Sequence, residues 1–353
     1  MKHHMIMAAL IVLLCVTPVR GMAVEGLDEL YQQAEEYGVT PEDDLELGLG
    51  KLVARVPEVL EELLTAGLRT ALKLLAVVLM CALGNGMGSA GQSNTLAGIR
   101  LAGALSITAL TMTDVSAMIG LGWDTVGRMN IFSGVLLPVM AVLSAISGSV
   151  SASAVRQSAT VLFSKGLVSM MEHILIPMVY AYVCVSCARA AAGNPGLDKL
   201  AKGIKSLVTG ILSVLLLVFV GYLTASGAIA GSVDLSRVKA ARMAISRAIP
   251  VVGSILADAS ETVLAGAGVL RGTVGATGLL VVLAICLMPF LRLGVQYLLY
   301  KGTAALCATI AQPELAHLVD AIGSAFGLVL GMTGAAALIL IVSVVSAILA
   351  VTG

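Results

Sequence analysis

The chain has 353 residues, of which 58% are hydrophobic and only 12% are charged, and its 21 basic and 21 acidic side chains leave no formal net charge. Soluble domains carry roughly 25% charged residues, so this composition excludes a water-soluble fold. The basic residues stand in short clusters, without a basic stripe interleaved with aromatics, which gives no support for nucleic-acid binding. We therefore predict an all-α, polytopic transmembrane helical bundle in a lipid bilayer.

The N-terminus has the pattern of a secretory signal. Lys2 precedes an apolar run, Met5–Val16, which is followed by small residues up to Ala23. This run is shorter than the roughly 20 residues that a membrane-spanning helix needs. We predict that residues 1–23 form a cleavable signal peptide, with an uncleaved membrane anchor as the alternative.

The next segment is acidic and amphipathic. Leu27, Leu30 and Ala34 recur at helical spacing, and Pro57–Leu68 has the pattern of a short helix with apolar and glutamate-rich faces. If the signal is cleaved, this segment is outside the cytoplasm. We predict an acidic extracytoplasmic segment over residues 24–66 and a multi-span membrane domain over residues 67–353.

Seven apolar segments have the length of membrane spans. They are residues 70–88, 99–122, 131–151, 168–188, 207–231, 272–291 and 321–351. Residues 251–270 and 293–312 contain charged side chains and are either spans, re-entrant segments or interfacial helices. The predicted number of membrane segments is therefore about seven to nine.

Two basic clusters compete for the cytoplasmic side. Arg237–Arg247 and Arg189–Lys205 flank the predicted span at 207–231, so a single crossing puts them on opposite sides. The first cluster is denser, and a similar sequence with a basic sequel occurs at residues 145–156 and 228–239. Counting crossings from a translocated N-terminus, we predict that Arg237–Arg247 is cytoplasmic and Arg189–Lys205 is outside.

Glycines recur one helical turn apart within several predicted spans. The longest series is Gly323, Gly327 and Gly331. In lipid, small residues let helix backbones approach closely, so we predict that these three glycines form a helix-packing surface. The facing helix belongs either to this chain or to another subunit.

Ionisable residues within apolar segments are the best candidates for function, because a charge at the bilayer centre costs at least about 2.5 kcal/mol. Such residues are Asp114, Glu172, His173, Asp258, Glu261 and Lys301. Asp258 and Glu261 are three residues apart on one helix face, which predicts an intramembrane polar or partner-facing site. The alternative is an interfacial helix whose acids face water. For Asp114 and Glu172, we expect snorkelling or local pairing.

Catalytic and cofactor motifs are missing from the sequence. No P-loop is present, and Glu172–His173 lacks the second histidine that a zinc protease motif requires. Ser226 stands in a turn-like sequence, but no supporting triad signature accompanies it. We predict no catalytic residue, no cofactor and no metal site, and hence no enzyme.

One long stretch resembles a known family. Residues 244–264, with the sequence AISRAIPVVGSILADASETVL, and their continuation from Gly278 to Pro289 closely resemble the stage III sporulation protein AE family of endospore-forming bacteria. The resemblance extends over most of the chain from about residue 50. The order of signal, acidic segment and multiple spans also fits this family.

The resemblance implies a membrane component of a channel-like complex, or feeding tube, between mother cell and forespore that is required for endospore development. It implies a location in the mother-cell membrane around the forespore. The implied partners are other stage III sporulation A-locus proteins and, through the complex, SpoIIQ. The competing hypothesis is an autonomous secondary transporter or permease, for which the intramembrane acids and the glycine-interrupted helices are typical features.

Overall fold

The computed structural model describes residues 45–87, 93–146, 163–225, 273–310 and 313–352, and these residues form six long helices and no strand. The helices are α1 (Leu45–Met87), α2 (Ser93–Ile146), α3 (Phe163–Ala192), α4 (Pro195–Ala225), α5 (Thr273–Ile310) and α6 (Pro313–Thr352). Each is long and apolar enough to cross a membrane. The predicted all-α membrane fold is confirmed.

A tight turn joins α3 to α4, and its residues explain its shape. Gly193 has a left-handed backbone with φ of 67°, and its N–H donates to the carbonyl of Arg189 at 2.7 Å, which ends α3. The Asn194 side chain then accepts a hydrogen bond from the N–H of Gly196 at 2.8 Å. Pro195 takes the first position of α4, where a missing N–H costs nothing. The two helices are thereby held antiparallel.

Helix α6 is the centre of the bundle. It packs against α5, α2, α3 and α4. In the apolar stretch of α6, 94% of the residues are buried inside the protein, compared with 17% in the apolar stretch of α1. A helix that is apolar on all sides is stable only where protein or lipid covers every face.

The contacts of α6 give the direction of its neighbours. Gly103 and Gly122 of α2 lie against Leu315 and Val329, so α2 and α6 run parallel. The hydroxyls of Ser164 on α3 and Ser343 on α6 are 2.8 Å apart, which sets α3 antiparallel to α6.

Within the described residues, three helices end and three helices begin at the same end of the bundle. Ile99 near the start of α2 contacts Gly84 near the end of α1, and Arg100 reaches the carbonyl of Ala192 at the end of α3. The first turns of α6 lie beside the first turns of α2. We call this the turn end of the bundle, where α1, α3 and α5 finish and α2, α4 and α6 begin.

Helix α2 corrects two predicted spans. Residues 99–122 and 131–151 were expected to cross separately, but the chain is one helix from Ser93 to Ile146. Asp124 and Arg128 lie between the two predicted spans. Because they are four residues apart, both lie on one exposed face of the helix, while Val126 and Met129 are buried. Similarly, the segments 272–291 and 293–312 belong to the single helix α5.

Helix α1 continues through the predicted domain boundary at residues 66 and 67. Pro57 was expected to begin a short helix, but it lies inside α1. The loss of one backbone hydrogen bond there is tolerated in a helix that packs along α5. Residues 1–44, with the predicted signal peptide, lie outside the described residues.

The continuous α2 removes one crossing from the topology count. A straight helix crosses a bilayer once, so the argument that put Arg189–Lys205 outside the cytoplasm loses its basis. This cluster lies at the turn end, whereas Arg237–Arg247 lies outside the described residues.

Candidate functional site

A charged cluster joins α4, α5 and α6 near the turn end. The ammonium group of Lys301 on α5 forms an ion pair with Asp320 on α6, with 2.7 Å between Nζ and Oδ1. The same ammonium donates to Ser324 Oγ at 2.8 Å, one helical turn further along α6. Asp320 and Ser324 are four residues apart and therefore face α5 together.

A second lysine enters this cluster from α4. Nζ of Lys205 donates to Ser324 Oγ at 3.1 Å, so the serine hydroxyl accepts hydrogen bonds from two ammonium groups. Within the described part of the chain, no carboxylate lies within ion-pair distance of Lys205. The cluster thus contains two cations and one anion. We call Lys205, Lys301, Asp320 and Ser324 the lysine cluster.

A second polar network lies on the neighbouring face of α5. The carboxylate of Asp114 on α2 accepts hydrogen bonds from the Tyr300 hydroxyl at 2.8 Å and from the Gln296 amide at 3.2 Å. Gln296 and Tyr300 are four residues apart, so one face of α5 supplies both donors. Tyr300 is almost fully buried and stacks edge-on against Phe326. This network joins α2 to α5.

The turn end carries further charges. Asp198, at the start of α4, forms ion pairs with Arg189 at 3.1 Å and with Lys202 at 2.7 Å. The guanidinium of Arg100 on α2 donates to the Ala192 carbonyl at 3.5 Å, at the C-terminus of α3. A cation is favourable there because the last carbonyls of a helix carry partial negative charge.

A groove of about 500 Å³ opens beside the lysine cluster. Its walls are alanines of α5 and α6 together with Pro313, and its polar residues are Lys301, His317 and Asp320. Because the alanine side chains are small, the walls of the groove are apolar, and the charged residues lie at one edge of it.

This arrangement suits binding and helix positioning. Among the described residues, no group of three histidine, cysteine or carboxylate side chains could hold a metal ion. Ion pairs in apolar surroundings add little net stability, because desolvation offsets their attraction. Ionisable residues kept inside membrane helices therefore point to a functional role.

The comparisons with known proteins give the family. The family model for stage III sporulation protein AE matches residues 35–353. The chain belongs to the stage III sporulation protein AE family. It is also 24% identical over 204 residues to stage III sporulation protein AE of Bacillus subtilis strain 168, a match that covers 58% of this chain and 50% of that relative. The chain thus matches about half the length of this curated relative. No solved structure has significant similarity to it.

The resemblance to the stage III sporulation protein AE family that was inferred from residues 244–264 is confirmed. The chain is accordingly a membrane protein of a sporulation family.

The predicted site residues fall into two groups. Asp258 and Glu261 lie outside the described residues, so their role stays a prediction. The three glycines of the predicted packing surface are on α6, where Gly323 faces Tyr300, Gly327 faces Tyr297, and Gly331 is buried. The first two contacts lie within this chain, between α6 and α5.

The other ionisable candidates have different surroundings. Asp114 was expected to snorkel or to pair locally, but its partners are on α5, more than 180 residues further along the chain. Glu172 is half-buried and His173 is exposed, both in a π-helical turn of α3. Lys301 belongs to the lysine cluster. Sequence reasoning thus named one member of each polar network.

The partners of these residues were missed. Asp320 and Lys205 are one or two residues outside the predicted spans 321–351 and 207–231. Lys205 was assigned to a flanking basic cluster, and Asp320 was not singled out. The helices begin earlier than the apolar runs, at Pro313 and Pro195, so both side chains lie two or three turns inside the bundle. The sequence signal that could have identified Asp320 was its spacing of four residues from Ser324, which places both side chains on the face of α6 that carries the glycines.

Proposed function

We propose that this chain is a non-enzymatic membrane component of the channel-like complex between mother cell and forespore that endospore development requires. The observation that carries the proposal is the family match over residues 35–353. The proposed location is the mother-cell membrane around the forespore. The proposed partners are the other stage III sporulation A-locus proteins and, through the complex, SpoIIQ.

The surface of the bundle supports a membrane component with neighbours in the bilayer. Helices α1 and α4 expose large apolar side chains, among them Leu72, Met80, Val214 and Leu217. Such faces are stable only against lipid or against apolar helices of partner proteins. Among the described residues, the ends of α1, α3 and α5 and the starts of α2, α4 and α6 lie together at one end of the bundle.

A deletion in the native spore-forming host tests the proposed role. Cells lacking the protein should complete engulfment, fail in late forespore gene expression and yield few heat-resistant spores, and the wild-type gene should restore all three. Fluorescence of a fusion protein should follow the membrane around the forespore. Normal spore yield of the deletion strain would refute the role.

Co-purification tests the proposed partners. A tagged chain, isolated from sporulating cells after crosslinking, should carry other A-locus proteins and, after engulfment, SpoIIQ. A tagged multi-pass protein of the same membrane is the control, and equal recovery of these partners with the control would contradict the proposed assembly.

An autonomous secondary transporter is the second candidate. The two polar networks inside long apolar helices favour it, because transporters bind substrates and ions at such positions. A transporter predicts altered uptake in vegetative cells that lack the protein. A defect confined to cells after engulfment would instead support the channel complex.

A further inference from the structure

The lysine cluster has more positive than negative charge. Lys301 is paired with Asp320, whereas among the described residues the other lysine, Lys205, donates to the hydroxyl of Ser324 alone. The hydroxyl accepts a hydrogen bond from the ammonium group but is itself uncharged, so it does not neutralise the positive charge of the ammonium. The cluster therefore keeps one formal positive charge that no described carboxylate offsets.

The two ammonium groups are held close together. Because both bind Ser324 Oγ, at 3.1 and 2.8 Å, they lie within about 6 Å of each other, where like charges repel strongly in apolar surroundings. The side chain of Lys301 is only 27% exposed, so water screens this repulsion poorly. An anion between or beside the lysines would remove the repulsion.

The surroundings leave room for such an anion. Lys301 and Asp320 form one edge of the alanine-walled groove of about 500 Å³, and His317 adds a further ring N–H to it. The cluster lies about 10 to 15 Å below the turn end along the helix axes, at a rise of about 1.5 Å per residue. The groove thus connects Lys301, beside which Lys205 lies, to the end of the bundle.

We propose that Lys205 and Lys301 form a binding site for a phosphate group. Each lysine offers a point charge of the kind that proteins use for phosphate. Ser324, which is buried, accepts from both lysines and holds the two ammonium groups together. The Asp320 carboxylate is neutralised by Lys301 and holds that lysine in place. The site is independent of the proposed role in sporulation.

The phosphate has two possible sources with the same chemistry. One is the headgroup of an anionic phospholipid, whose acyl chain would follow the alanine wall of the groove. The other is a soluble phosphate that enters from the turn end.

Thermal unfolding of the full-length chain tests the site. The protein is placed in nanodiscs of phosphatidylcholine alone, of phosphatidylcholine with phosphatidylglycerol, or of phosphatidylcholine with added inorganic phosphate. A ligand that binds the folded state should raise the Tm of the wild-type protein by about 3 °C or more. A rise with phosphatidylglycerol alone identifies the headgroup, and a rise with both identifies the phosphate itself.

Two matched variants give the specificity. Lys205→Met removes this cation and should abolish the ligand-induced rise in Tm, measured relative to the variant's own Tm in phosphatidylcholine. Lys202→Met removes the same charge from the same helix, at a side chain that is 76% exposed and paired with Asp198, and should keep the rise. Lys205→Arg, which keeps the positive charge, should also keep the ligand-induced rise in Tm.

The proposal is overturned if neither ligand raises the Tm of the wild-type protein, or if Lys205→Met responds as strongly as Lys202→Met. Native mass spectrometry of the nanodisc-released protein provides an independent readout. Retained phosphatidylglycerol or phosphate should fall at least about tenfold in Lys205→Met relative to Lys202→Met, since a hydrogen bond to a charged group is lost.

Discussion

Replacing Gly327 by leucine should break the contact between α6 and α5. A Cβ atom at this position would lie 2.9 Å from both Cδ2 and Cε2 of Tyr297, closer than carbon atoms pack. Tyr297 is 7% exposed and has little room to move. Overpacking of a tight contact costs about 1 to 3 kcal/mol. This loss outweighs the gain of up to about 1 kcal/mol from removing a glycine inside a helix.

Gly210→Leu is the matched control, because nothing lies within 4 Å of a Cβ at this position of α4. Its stability should stay equal to that of the wild-type protein or rise. We expect the free energies of unfolding of Gly327→Leu and Gly210→Leu to differ by about 1 to 3 kcal/mol, the packing cost alone, because both variants gain the same helix propensity. Reversible unfolding in mixed detergent micelles measures this difference, and membrane abundance in cells should follow it.

A compensating change separates packing from other causes. In the double variant Gly327→Leu with Tyr297→Ala, the new leucine occupies the space of the lost ring, and part of the stability should return. Equal stability of Gly327→Leu and Gly210→Leu would refute the reasoning, as would a double variant that is merely the sum of its single changes.

Three further predictions concern polar residues. Tyr300→Phe removes a hydroxyl that donates to a carboxylate of α2 and should lower the free energy of unfolding by about 1.5 to 3 kcal/mol, whereas Tyr180→Phe, at an exposed tyrosine, should not; equal effects would contradict the network. With a translocated N-terminus and one crossing by each of α1, α2 and α3, the turn end is cytoplasmic. Lys199→Cys in a cysteine-free background should therefore resist an impermeant thiol reagent in intact cells, and ready labelling would reverse this orientation. Replacing Asp258 by Asn together with Glu261 by Gln should block sporulation while the protein still reaches the membrane; normal spore yield at normal abundance would assign both acids to an interfacial helix.

The fold class follows from composition, but the helix bounds do not. Apolar length identifies where a helix enters lipid, and it gave spans near all six helices. It does not detect a helix that continues through polar residues, because Asp124 and Arg128 are hydrophilic whether they lie in a loop or on an exposed helix face. The sequence feature that indicates one helix through 99–122 and 131–151 is the spacing of these two residues, because side chains four residues apart lie on the same face of a helix.

The polar networks were predictable only in part. A charged residue in an apolar segment is visible in the sequence, and Asp114 and Lys301 were identified in this way. Their partners are contacts between distant parts of the chain, such as Asp114 with Tyr300. No local pattern contains such a pairing, because it depends on which helices are neighbours and in which direction they run.

Close packing and charge pairing at the α5–α6 interface depend on each other. A Cβ at Gly323 would lie 3.0 Å from Tyr300 Cβ and 3.4 Å from the backbone nitrogen of Lys301, so the absence of a side chain lets the α5 backbone approach at the position of the lysine. That approach brings the Lys301 ammonium to Asp320, three residues before the glycine. A larger residue at 323 would push α5 outward and lengthen this ion pair, which would leave the Lys301 ammonium, whose side chain is 27% exposed, without its counter-ion. The glycine surface of α6 therefore contributes to the lysine cluster as well as to helix packing, and the stability of the bundle and the geometry of its candidate phosphate site have the same structural origin.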